Sequence, residues 1–182
     1  MKRTSELRTL SEDHHHGLVH ARRLRRAADG DEAHPAEAPA NAFLDFWQKD
    51  TAIHFRKEEE VLLPVMARHG GDVTREPLVE MLEDHAKLRG LVMRLSDEVV
   101  GGTVRPETLR EIGEQLEEHI RLEERVVFPY LEESLPESAL EELAARLETK
   151  EAGPRAEPWV PAEGLSYAPW PGPGDSEGGG YD

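Results

Sequence analysis

The 182-residue chain contains no cysteine. Disulfides, thiolate zinc sites, iron–sulfur clusters and cysteine nucleophiles are therefore excluded, and any bound metal must be held by nitrogen and oxygen. Aromatic residues make up only 5%, fewer than a β-sandwich uses to fill its core, whereas a helical bundle built on Leu, Val and Ala needs no more. No stretch approaches the roughly 20 apolar residues of a membrane span. The N-terminal Met1-Lys2-Arg3-Thr4-Ser5-Glu6 leads into no apolar core of a signal peptide, so a cytoplasmic location without membrane contact is expected. Positive charge is scarce: 22 Lys and Arg face 38 Asp and Glu, a net charge of −16. Nucleic acid is excluded as a partner on that balance, and the short run Arg22-Arg23-Leu24-Arg25-Arg26 reads as a solvated helix face.

Four long segments carry apolar residues three and four apart, the period of an amphipathic helix. The first runs from about Ser11 to Ala28 with Leu18, Ala21 and Leu24. The second, Ala42 to about Arg68, opens after the N-cap candidate Asn41 and carries Phe43, Phe46, Trp47, Ile53, Val61 and Leu62. The third, Pro77 to Val100, has Leu78, Leu82, Leu88, Leu91, Val92 and Leu95, and stops at Gly101-Gly102. The fourth starts at Pro106, a residue suited to a first helical turn, and carries Leu109, Ile112, Leu116, Ile120, Val126 and Val127. A shorter fifth piece, Ser138 to Thr149, puts Leu140, Leu143 and Leu147 on one face. Short connections predict an all-α, antiparallel up-down-up-down four-helix bundle with a short fifth helix, spanning residues 1–150. From Gly153 onward Pro, Gly, Trp159, Tyr167, Trp170 and Tyr181 predominate. Residues 151–182 are thus expected to form an extended or disordered tail, and its aromatics a contact for a protein partner.

Two stretches repeat. His54-Phe55-Arg56-Lys57-Glu58-Glu59-Glu60-Val61 and His119-Ile120-Arg121-Leu122-Glu123-Glu124-Arg125-Val126 share the pattern H-x-x-x-E-E-x-V. Each is followed by two apolar residues and a proline, Pro64 or Pro129. Each is preceded, one helix earlier, by an acidic residue and a histidine: Asp13-His14 and Asp84-His85. The chain reads as a duplicated helix pair. At about 100° per residue, His14, His54, Glu58, His85, His119 and Glu123 fall on the apolar faces of their helices, with Glu59 and Glu124 turned outward. An unpaired buried carboxylate is disfavoured by several kcal/mol and an unpaired polar group by about 1–3 kcal/mol. Cations between the six side chains remove that cost. His and Glu four residues apart stack one turn above another and can grip one ion together.

On these residues the chain resembles the hemerythrin HHE cation-binding family over about residues 5 to 150. The resemblance implies a non-haem di-iron centre bridged by carboxylates and a solvent oxygen, in which His14, His54 and Glu58 of the first half and His85, His119 and Glu123 of the second are ligands. Manganese or zinc would suit similar donors. Glu124 and His15 are the alternatives to Glu123 and His14. Oxygen-carrying relatives have a histidine where this chain has Arg89, so reversible oxygen carriage is not implied. Binding or sensing of dioxygen, a related small oxidant such as peroxide, or nitric oxide is expected. Peroxide reduction, ferrous iron oxidation and a metal-responsive regulatory module are the alternatives. His16 and His20, with Glu12, form a weaker candidate surface clip, and His34 and His69 fall in loops. Pro64 and Pro129 are expected to kink their helices by denying hydrogen bonds to the carbonyls of Glu60 and Arg125.

Overall fold

The computed structural model describes residues 7–30 and 36–148. The expected tail and His34 lie outside the described residues. Within them the fold is all-α, as the periodicity requires. Helix α1 is Arg8–Ala28. Helix α2, residues 37–68, is a continuous rod made of α-helical stretches Glu37–Phe46, Ala52–Lys57 and Leu63–Arg68, separated by wide π turns at Trp47–Thr51 and Glu58–Leu62. Helix α3 is Glu76–Val100. Helix α4, residues 106–134, runs through Pro106–Leu122, a π turn at Glu123–Val127, and Phe128–Ser134. Helix α5 is Glu137–Glu148.

Helix α1 packs on α4 and α2, and α3 packs on the same two, so each long rod touches two others; α5 lies against the second half of α2. Glycines end two of the rods. Gly70 (φ +80°) follows α2 and Gly102 (φ +67°) follows α3. Their left-handed backbone lets Gly71 N–H reach the Met66 carbonyl and Thr103 N–H reach that of Glu98, each at 2.9 Å, satisfying carbonyls that the helix ends leave open. Helix α1 begins earlier than expected, and the fully buried Leu7 and Leu10 belong to its leading end. Helix α2 begins before Asn41, whose side chain donates back to the Glu37 carbonyl instead of capping.

Two apolar clusters form the core. One joins Leu7, Leu10, Leu62, Met66, Leu78, Phe128 and Leu131 with Leu140, Leu143 and Leu147 of α5. The other gathers Leu24, Phe43, Trp47, Phe55, Leu88, Leu95, Ile112 and Leu116. Helical conformation continues through Pro64 and Pro129. Each proline follows a π turn in which a residue just before it bonds five positions back, Leu63 N–H to the Glu58 carbonyl and Phe128 N–H to that of Glu123. The wide turn absorbs the missing donor by shifting register, as π-bulges do. It also moves the faces downstream: Val127 is fully buried while Val126, expected on the same side, is exposed. Leu18, Ile53 and Leu82 are exposed as well.

Candidate metal centre

The two copies of the repeat meet where the two core clusters adjoin. His14 stacks on Phe128 with ring centroids 5.4 Å apart, and His85 stacks on Phe55 at 3.8 Å. The π turns Glu58–Leu62 and Glu123–Val127 each begin at a candidate carboxylate, Glu58 and Glu123. All six side chains read from the sequence lie together here and all are buried: Glu58, Glu123 and His85 completely, His14, His54 and His119 to within 5%.

They divide into two overlapping groups. His14, His54, Glu58 and Glu123 offer donor atoms within 4.8 Å of one another, and so do Glu58, His85, His119 and Glu123. The carboxylates are the shared members. Glu58 turns Oε1 toward His54 Nε2 (3.3 Å) and Oε2 toward His85 Nε2 (3.3 Å). Glu123 turns Oε2 toward His14 Nε2 (2.9 Å) and Oε1 toward His119 Nε2 (3.2 Å) and His85 Nε2 (3.9 Å). Each carboxylate thus directs one oxygen to each histidine pair. None of these four oxygens has a hydrogen-bond partner of acceptable geometry, nor do the Nε2 atoms of His85 and His119. Buried polar atoms are almost always satisfied, so six such atoms in one place fit a site that could hold metal cations.

The spacing tests that fit. His14 Nε2 and His54 Nε2 stand 3.1 Å apart. Two neutral rings with lone pairs facing at that distance would repel. For metal–nitrogen bonds of about 2.1 Å, neighbouring ligands at a right angle stand about 3.0 Å apart. The histidine pair fits one ion.

The acidic residues beside the six hold the rings from behind. His14 Nδ1 donates to Glu124 Oε1 at 2.7 Å, and Ser11 Oγ donates to the same oxygen at 2.6 Å. His85 Nδ1 donates to Glu59 Oε1 at 2.7 Å, with Arg89 donating to the other oxygen of Glu59 at 3.0 Å. His54 Nδ1 donates to Asp13 Oδ2 at 3.3 Å. Asp84 faces His119 Nδ1 at 3.9 Å, too far for a direct bond, and takes Lys87 at 3.1 Å. Glu59 and Glu124 are therefore not solvated as the wheel suggested. They are half-buried, and each holds the first-helix histidine of the opposite half. Carboxylates that fix the tautomer and raise the basicity of a ligating imidazole do this in metal sites generally. The doubled acidic residues in the repeat carried that signal, but their targets lie on other helices.

Charge follows the same pattern. Burial pulls the His14 ring downward, yet Glu123 and Glu124 raise it to about 9. Burial opposes Glu58 and Asp13 at His54, which rises to about 10. At His85, burial again opposes, and Glu123, Glu58 and Glu59 lift the ring to about 10. Burial raises Glu123, but His119, His14 and His85 hold it well below the ordinary carboxylate range. Glu59, despite partial burial, is lowered to about 2 by His85 and Arg89. Absent a cation, protons on the rings balance the carboxylates.

The family model of the hemerythrin HHE cation binding domain matches residues 5–131. The chain belongs to this family. The hemerythrin match spans α1 through most of α4 and includes all six converging side chains. Among curated proteins and among solved structures, none matches significantly. No described helix is long and apolar enough to cross a membrane.

Of the other sequence candidates, Glu124 stands behind His14 rather than in the donor groups, and His15 is exposed. His16 and His20 form no donor group with Glu12 among the described residues, and the His20 ring stacks on Phe46 at 4.2 Å. His69 bonds to Glu142 of α5 at 2.9 Å. Trp47 and Phe55 are buried as expected. Sequence reasoning missed Thr51 and Gly17, which line a cavity of about 30 Å³ beside His14, His54, His119 and Glu123.

Proposed function

We propose that this hemerythrin-family chain holds two iron ions and binds or senses a small ligand there: dioxygen, a related oxidant such as peroxide, or nitric oxide. The observation that carries the reading is the pair of carboxylates, Glu58 and Glu123, each buried, each orphaned, and each offering one oxygen to both histidine pairs. Two nitrogens and two oxygens per ion leave about two of six octahedral positions, which suits iron or manganese better than the closed tetrahedral sites of structural zinc.

In this reading His14 and His54 hold one ion, His85 and His119 the other, and the two glutamates span both. Glu124, Glu59 and Asp13 take the Nδ1 protons, so that the Nε2 lone pairs aim inward. Phe55 and Phe128 cover the rings and keep bulk water away. Bound iron would supply a redox-active centre able to accept a small ligand. A cavity of about 30 Å³ takes roughly two water-sized atoms, which supports a diatomic or a peroxide over a bulky substrate.

The test is metal analysis together with an optical spectrum of the iron-loaded full chain in air. About two irons per chain and oxygen-to-iron charge-transfer bands are expected. Tight binding of a single ion, or of zinc in preference to iron, would sink the proposal.

A further inference from the structure

The arginine run of α1 does not simply face water. Helix α1 lies along α4, and residues of both line a groove of about 380 Å³. Arg22 and Arg25 of the run come to it from α1, and Arg121 and Arg125 from α4. Leu18 and Ile120 supply its apolar lining, and Glu117 and Glu124 complete it. None of these eight residues belongs to the donor groups of the metal centre.

The charges in the groove do not balance. Glu117 accepts from Arg25 at 2.5 Å and also pairs with Arg121. Glu124 is engaged by His14 Nδ1 and by Ser11. Arg22 and Arg125 form no ion pair among the described residues, and the Nε of Arg25 is buried without a partner. Four guanidinium groups thus meet two carboxylates, a local excess of positive charge in a chain whose net charge is −16. Like charges one turn apart on a helix, as at Arg121 and Arg125, oppose each other. An anion lodged among them turns that repulsion into attraction.

Size and geometry narrow the anion. The volume falls in the range of small-molecule sites. Guanidinium forks match phosphate oxygens two at a time, and a tetrahedral phosphate offers different oxygens to arginines of both helices. Inorganic phosphate alone would leave Leu18 and Ile120 bare, so a phosphate carrying an organic body fits better. A nucleic acid polymer does not suit a chain so acidic outside this groove.

We propose that the groove between α1 and α4 binds a small organic phosphate, gripped by Arg22, Arg25, Arg121 and Arg125, with its organic part against Leu18 and Ile120. This site is distinct from the metal centre and does not depend on the di-iron reading.

Equilibrium dialysis of the full chain against inorganic phosphate and against phenyl phosphate tests it, with metal content measured alongside. Arg22→Gln/Arg125→Gln removes two exposed, unpaired guanidinium groups and should weaken both ligands about tenfold or more. Arg23→Gln/Arg26→Gln removes the same charge from the same run at positions outside the groove lining, and should leave affinity nearly unchanged. Phenyl phosphate should bind more tightly than inorganic phosphate. If the first double variant folds poorly, Arg22→Gln against Arg23→Gln gives the same comparison. Equal losses in the two double variants would reveal diffuse attraction instead of a site, and overturn the proposal. Binding that survives Arg22→Gln/Arg125→Gln but vanishes on metal removal would place the anion on the metal, and overturn it too. No binding to the wild-type chain at millimolar ligand has the same force, and equal affinities for the two ligands overturn the organic assignment.

Discussion

Glu124 accepts a hydrogen bond from His14 Nδ1 at 2.7 Å across 110 residues of sequence. Its counterpart Glu59 does the same for His85. The side chains that orient the first-helix histidines therefore come from the other half of the duplicated motif.

Glu59→Gln and Glu124→Gln should each lower metal affinity by about 10–100-fold, the usual effect of removing a partner behind a ligating imidazole. Competition against a chelator of known affinity measures it. A change confined to one variant would show that the two halves are not equivalent in this respect.

Loss of a shared carboxylate should differ from loss of a terminal histidine. Glu58→Ala or Glu123→Ala removes a donor from both groups, so both ions should be lost on dialysis. His14→Ala strips one group only and should leave about one ion per chain. Metal-to-protein ratios decide between these outcomes.

The rings of His14, His54 and His85 rise to about 9, 10 and 10 from 6.5. Folded values above unfolded ones mean that this contribution to the stability of metal-free protein is complete below pH 6.5. It is lost as pH climbs through about 9 to 10. Metal needs the rings neutral, so affinity should keep rising across that range and uptake near neutrality should release about three protons. Thermal melts of chelator-treated and loaded protein between about pH 6 and pH 10, with proton release followed by pH-stat, check both signs. Metal-free protein that gains stability toward high pH would contradict them.

Gly113 marks the close approach of α1 and α4. A Cβ there would meet the Ala21 carbonyl oxygen and Arg25 Cγ, both at 2.7 Å. Overpacking against backbone costs about 1–3 kcal/mol, which exceeds the roughly 1 kcal/mol that alanine gains in helix propensity. Gly113→Ala should lower Tm by a few degrees. Gly90→Ala, exposed within α3 and with nothing near its Cβ, should raise it. Calorimetry compares the pair.

Much of this molecule was readable from periodicity. The helix spacing gave the fold class, and the facing of His54 with Glu58 and of His119 with Glu123 gave the residues that converge. A fixed 100° wheel could not anticipate the π turns, so Val126 was assigned to the wrong face. It also turned Glu59 and Glu124 toward solvent, because their partners, His85 and His14, sit on helices that no local pattern links to them. Thr51 and Gly17 were passed over for a different reason. A threonine in a helix and a glycine near a histidine are ordinary residues until three helices enclose a space between them.

The crossed arrangement of Glu58, Glu59, Glu123 and Glu124 carries a consequence for how such a protein can be divided. A fragment holding only α1 and α2 would contain His14, His54 and Glu58, yet lack Glu123 to complete the ion cage and Glu124 to set the His14 tautomer. Two identical fragments facing each other would supply both from a second Glu58-Glu59 pair. A half-length ancestor working as a homodimer is thus chemically self-sufficient where a lone half is not.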